Sequence, residues 1–99
     1  MTSQSLEQRS VVVTGAGRGI GAAIRDRLAA TGWYVVGVEN DPETCDSATD
    51  ELGSAGSMVQ GDVTDRSVIA CAAQVATKDY LLGGWVNNAA IALPGTAHA

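Results

Sequence analysis

Positive charge is scarce in this chain. Of its 99 residues only six are Lys or Arg, against eleven Asp or Glu, for a formal net charge of -5. Arg9, Arg18, Arg25, Arg27, Arg66 and Lys78 never cluster, and without a basic stripe nucleic acid is not an expected partner. Long apolar runs are missing as well. None approaches the roughly 20 residues needed to cross a bilayer, and the opening MTSQSLEQRS has no apolar segment of the signal-peptide kind. The expectation is a cytoplasmic protein with no membrane partner. Cysteine is limited to Cys45 and Cys71, which form no CxxC pair and have no histidine nearby, so reduced thiols and no metal site are expected. The one histidine, His98, lies next to the C-terminal residue and is assigned no role.

What is present is enough to fold. Apolar residues make up 45% and charged residues 17%, an ordinary balance for a globular domain and far from a disordered profile. The length suits one core and not two.

Apolar patterning alternates along the chain. RSVVVT at 9–14 is a β-branched run typical of a strand buried on both faces. From Arg18 to Ala30, Ile20, Ala23, Ile24 and Leu28 recur at helical spacing, with Arg25, Asp26 and Arg27 mostly opposite, which predicts an amphipathic helix with Gly32 as its stop. YVVGVE at 34–39 is a second strand. A polar second helix, expected to be mobile, follows with Asp41 as N-cap, Pro42 at its first position and Gly53 as its stop. A third strand is expected within Met58 to Val63. Asp65 then caps a helix with the core stripe Val68, Ile69, Ala72, Val75 and Ala76, and a fourth strand is expected near Gly84 to Asn87. The closing residues IALPGTAHA match no element. Such alternation predicts an α/β fold of the Rossmann type: a parallel sheet with helices on both faces, in the order βαβαβαβ.

The segment VVVTGAGRGIGAAI joins the first strand to the first helix. One or two glycines would serve a tight turn, whereas Gly15, Gly17, Gly19 and Gly21 leave a bare surface where helix N–H groups and the positive end of the dipole attract anions. Two spacings compete. G-x-G-x-x-G/A falls on Gly17, Gly19 and Ala22; T-G-x-x-x-G-I-G falls on Thr14, Gly15, Gly19, Ile20 and Gly21, and is preferred because it starts where the strand ends. A G-x-x-x-x-G-K-[ST] phosphate loop is excluded, since the segment has no lysine. Glu39, at the end of the second strand, stands about 20 residues beyond the loop, the spacing of a carboxylate that accepts from a ribose diol.

TGAGRGIG at 14–21, GDV at 61–63 and NNAA at 87–90, in this order, resemble the N-terminal half of a short-chain dehydrogenase/reductase. The resemblance extends from about Val11 to Pro94. It implies that the backbone of Gly15, Gly17, Arg18, Gly19 and Ile20 lies along ribose and pyrophosphate, and that Glu39 takes the adenosine ribose. It further implies that Asp62 and the Val63 N–H meet adenine, and that Asn88, Ala89 and Ala90 border the ribose nearer the nicotinamide. Asn87 and Asn88 would also help fix the fourth strand. Two departures stand out: Ala90 replaces a usual glycine, and Gly83-Gly84 replaces an acidic and an aliphatic residue.

NAD is the expected cofactor, with NADP second. A 2′-phosphate about 5 Å from Glu39 would be repelled by roughly 3 kcal/mol per unit charge at an effective dielectric near 20. Arg18 argues the other way, but residue 40 is Asn and offers no second cation. Family chemistry needs a serine and a Tyr-x-x-x-Lys pair, in which lysine lowers the tyrosine pKa. Here Val38 stands four after Tyr34 and Gly84 four after Tyr80, so no residue is nominated as catalytic. The expectation is one incomplete dinucleotide-binding domain over 1–99, ending after its fourth strand. It would belong to an oxidoreductase; the alternatives are a non-catalytic nucleotide-binding module and a non-functional remnant. An uncovered fourth strand would leave it marginally stable and prone to self-association through that edge.

Overall fold

The computed structural model describes residues 8–89. Strand β1 is Arg9–Thr14, helix α1 Gly19–Ala30, β2 Tyr34–Glu39, α2 Pro42–Leu52, β3 Gly56–Gln60, α3 Arg66–Lys78 and β4 Leu81–Val86. A single 3-10 turn, Gly53–Ala55, links α2 to β3. The strands form one parallel sheet, as the alternating pattern predicts, and their spatial order is β3-β2-β1-β4.

Successive valines separate the two faces of that sheet. Val11, Val13 and Val35 point to one side, where they pack with Ala16, Leu52, Ile24 and Leu28 beneath α1 and α2. Val12, Val36 and Val38 point to the other, against Ala72 and Ala76 of α3. Burying a valine side chain contributes about 1.5–3 kcal/mol, so the two valine-rich strands carry much of the stabilisation. Ser10 is fully buried among them and stays satisfied because its hydroxyl donates to the Ala76 carbonyl.

Three expectations need correction. The first concerns α1, where Ile20 is 74% exposed while Arg25 is 1% exposed, the reverse of the hydropathy reading. The phase of the helix is set at its first turn by Gly21, which lies against the Gly15 carbonyl; a Cβ there would collide with that oxygen. Once position 21 faces inward, 25 and 28 follow one and two turns later, and Ile20 and Ala23 are turned out. Second, β3 starts earlier than expected and ends at Gln60; the Gly61 N–H still bonds the Glu39 carbonyl, after which Asp62 draws the chain into a turn. Third, β4 covers Leu81–Val86, beginning three residues before the expected start. Its pairing with β1 shifts register between Ser10 and Val11, and the Trp33 ring lies over the bare Gly83 at that irregularity.

Helix α2 is polar on its outer side, yet Cys45, Ala48 and Leu52 are buried against the sheet. Its N-terminus is capped by Asp41, which accepts from the Thr44 N–H at 2.9 Å. Asp65 caps α3 through the Ser67 N–H in the same way.

The corrected phase of α1 predicts an asymmetry between two apolar substitutions. Val36→Ala should lower unfolding free energy by about 2 kcal/mol, because it empties space between two packed layers. Ile20→Ala should change it by less than about 0.5 kcal/mol. Denaturant titration of both variants checks the assignment, and comparable losses would contradict it.

Candidate functional site

Strand order 3-2-1-4 places a switch point between β1 and β4. The chain leaves β1 for one face of the sheet and leaves β3 for the other, so a crevice opens at the C-terminal ends of the strands. A cavity of about 450 Å³ occupies it. That volume falls within the ~300–1,000 Å³ typical of small-molecule sites. Its lining brings together Gly15, Arg18, Glu39, Asp62, Asn88 and Ala89 from four separate stretches, with Val63 beside Asp62.

The loop after β1 is built for close approach. Gly15 has φ of +65° and lies against Asn88 and Ala89, whose side chain and backbone come within 3.1 Å of where a Cβ would stand. Asn88 donates from Nδ2 to the Gly15 carbonyl at 3.2 Å. At Gly17 a Cβ would strike the Glu39 carboxylate and the Thr44 methyl, so a bare residue is required for the loop to close on β2. Arg18 is extended and offers no side-chain cap to α1, leaving the donors of the first turn uncapped from that side. Gly19 also has positive φ, and Ile20 projects outward from the first turn; neither these two nor Gly17 belongs to the cavity lining.

Glu39 is the best-fixed acidic group of the site. It is 8% exposed and accepts two backbone N–H bonds, Gly17 to Oε1 at 3.1 Å and Asp41 to Oε2 at 3.0 Å. A carboxylate has about four acceptor positions, so two remain for other donors. Asp62 is exposed and accepts from the N–H and hydroxyl of Thr64 through Oδ1, both at 2.8 Å. Those bonds, the N–H first, hold its carboxyl below the usual carboxylate range and leave Oδ2 without an intramolecular donor among the described residues. Asp41 is likewise held low, first by the Thr44 hydroxyl, then by the Thr44 N–H, with the charge of Arg18 adding to the effect.

Sequence reasoning missed the central role of Thr14. Its hydroxyl oxygen accepts from the N–H groups of Asn88 at 3.0 Å and Ala89 at 3.1 Å, tying the chain after β4 to the end of β1. The threonine was visible as the last β-branched residue before the glycines, but nothing in one sequence pairs it with positions 74 residues away. Asn40, Gly61 and Thr64 also line the cavity. Asn87 bonds the Trp85 indole N–H at 2.9 Å, a local contact at the strand end. Ala90 and His98 lie outside the described residues.

Among the described residues, no group of three or more His, Cys, Asp or Glu side chains could hold a metal ion, and no helix is long and apolar enough to cross a membrane. Cys45 and Cys71 are both free, the former buried and the latter exposed.

A family model described as short chain dehydrogenase matches residues 9–99. Serine 3-dehydrogenase from Rhizobium radiobacter is 37% identical over 91% of this chain and 36% of its own length. The 3beta-hydroxysteroid dehydrogenase 1 of Eggerthella lenta is also 37% identical, over 87% of this chain and 35% of its own. Among solved structures, a short-chain dehydrogenase/reductase from Saccharomyces cerevisiae superposes with a TM-score of 0.77 at 29% identity, covering 88% of this chain and 35% of the other. The 3-hydroxyacyl-CoA dehydrogenase type-2 from Mycobacterium avium gives 0.75 at 30% identity, over 80% and 31%. The chain therefore spans about a third of the length of these relatives. With four parallel strands in Rossmann order and a family model running through every one of them, the chain belongs to the short-chain dehydrogenase family, whose members bind NAD or NADP.

Proposed function

We propose that this chain binds NAD in preference to NADP and is the cofactor-holding portion of an oxidoreductase that interconverts an alcohol and a carbonyl compound. When bound, the nicotinamide accepts or donates the hydride. The loop from Gly15 to Ile20 lies along the pyrophosphate, with the N–H groups opening α1 facing the anion. Glu39 accepts from the adenosine ribose, Asp62 and the Val63 N–H hold adenine, and Asn88, Ala89 and Ala90 border the second ribose. The cytoplasm, where thiols stay reduced, suits two free cysteines.

The observation that carries this reading is the setting of Glu39 at the wall of the cavity, pinned by two N–H bonds and facing the mouth of the glycine loop. A pinned carboxylate can accept from a ribose diol but cannot easily swing away from a 2′-phosphate. Arg18, the cation lining the same cavity, already has Asp41 as a neighbouring charge, which weakens its pull on a phosphate.

Calorimetric titration of the chain with both cofactors should show NAD binding about tenfold tighter, a difference of roughly 1.4 kcal/mol after solvent screening of the Coulomb repulsion. Glu39→Ala should bring the two affinities within about threefold of each other, chiefly by weakening NAD. Tighter NADP binding by the unaltered chain would defeat the assignment.

We also propose self-association through β4. Among the described residues β4 is an outer strand of the sheet, and Leu81 and Leu82 are 49% and 39% exposed. Sedimentation velocity should show apparent mass rising with concentration, and Leu82→Lys should suppress that rise. A chain that stays monomeric up to millimolar concentration would rule the proposal out.

A further inference from the structure

Arginine is among the residues least often buried without a partner, because removing its charge from water is costly unless it is paired and hydrogen-bonded. Arg25 is 1% exposed, and each of its three side-chain nitrogens donates a hydrogen bond. Nε donates to Asp26 at 2.9 Å, Nη2 donates to Glu51 of α2, and Nη1 donates to the main-chain carbonyl of Ala16 at 3.0 Å. Neither carboxylate is buried; Asp26 and Glu51 are 62% and 60% exposed, so the guanidinium runs from the surface between two helices to the loop behind the cavity.

The Ala16 carbonyl and the Gly17 N–H belong to one peptide unit. Its oxygen is held by the Arg25 guanidinium and its N–H by the Glu39 carboxylate at 3.1 Å. The preceding N–H, that of Ala16, bonds the Val38 carbonyl at 3.1 Å. A planar group gripped at opposite ends by a cation and an anion cannot rotate without breaking a charge-assisted bond at each. Among the described residues this is the peptide of the glycine loop clamped in that manner.

We propose that Arg25 is a positioning residue for dinucleotide binding: from behind the loop it fixes the Ala16–Gly17 peptide against Glu39, so that the anion-binding loop is formed before the ligand arrives. The inference rests on the dinucleotide reading above and adds a residue that lies outside the cavity lining. Preorganisation of this kind lowers the ordering cost of binding. Its loss should therefore weaken ligands that carry phosphates more than those that do not, since adenosine does not need the loop.

The test combines two measurements on the 99-residue chain and on Arg25→Met, Arg25→Lys and Glu51→Gln. Amide hydrogen exchange followed by NMR reads the clamp directly. In Arg25→Met the Gly17 amide should exchange at least tenfold faster while those of Val12 and Val13 in β1 change less than twofold; Arg25→Lys should recover part of the protection. Affinities for ADP and adenosine read its consequence: Arg25→Met should lose about tenfold for ADP and less than threefold for adenosine. Glu51→Gln leaves the arginine in place but loosens its far end, and should shift the Gly17 amide in the same direction by a smaller amount. Should Arg25→Met fail to fold, the Lys and Gln variants carry the same comparison.

A uniform rise in exchange across β1 and the loop, with the ADP-to-adenosine ratio unchanged, would make Arg25 a general stabilising residue and overturn the proposal. No change at Gly17 in any variant would overturn it as well. Failure of the unaltered chain to bind either ADP or NAD would instead sink the dinucleotide reading, and this inference with it.

Discussion

Parallel pairing of β1 with β2 on one side and β4 on the other is the constraint on which the site depends. With strand order 3-2-1-4 the connection leaving β1 runs over one face of the sheet and the connection leaving β3 over the other, and a crevice at the C-terminal ends of the strands is the geometric result. The valines that drive this pairing are unremarkable as a core, but they fix where Thr14, Glu39 and Asn88 emerge. Thr14 then makes the crevice a single object: one hydroxyl accepts from two N–H groups of the segment after β4, so the ends of two strands cannot drift apart independently. The sheet supplies the position, and a few polar bonds at its end supply the shape.

Most of that framework was legible from residue order alone. Alternating apolar runs of two different periods identify strands and helices, and the glycines followed by a distant acid mark where a dinucleotide would lie. Of the positions expected at the site, Gly15, Arg18, Glu39, Asp62, Val63, Asn88 and Ala89 line one cavity, while Gly17, Gly19 and Ile20 do not. Their convergence was readable because each sits at or a few residues beyond the C-terminal end of a strand, and in a parallel sheet all such positions share one edge.

The errors have a common physical origin. Hydropathy periodicity gives the spacing of a helix face but not its absolute rotation about the axis. In α1 the rotation is decided by the tightest contact, Gly21 on the Gly15 carbonyl, and that contact involves no apolar side chain at all. Ile20 is consequently turned to solvent while a charged residue is buried, an outcome that only the hydrogen bonds of Arg25 make affordable. At the glycine pair in β4, Gly83 is the bare surface on which the Trp33 ring rests, a partner 50 residues away that no local pattern could reveal.

On the proposed NAD reading, loop geometry and cofactor choice are coupled in this chain through one side chain. In a site where the acidic residue stood free, replacing it would alter only the repulsion felt by a 2′-phosphate. Here Glu39 also receives the Gly17 N–H, and the other end of that peptide is held by Arg25. Under the proposed assignment, removing the carboxylate would relieve repulsion and release the loop together, so that a gain for the phosphorylated cofactor would be offset by a less ordered loop. Shortening the side chain to Asp would retain the charge but move it back by one methylene, which tests whether reach or charge matters more at this position. The buried arginine sharpens the coupling, because a loop held from two sides transmits a change at either one to the same peptide. Under that proposal, selectivity for the ribose and order in the loop would be consequences of the same two hydrogen bonds.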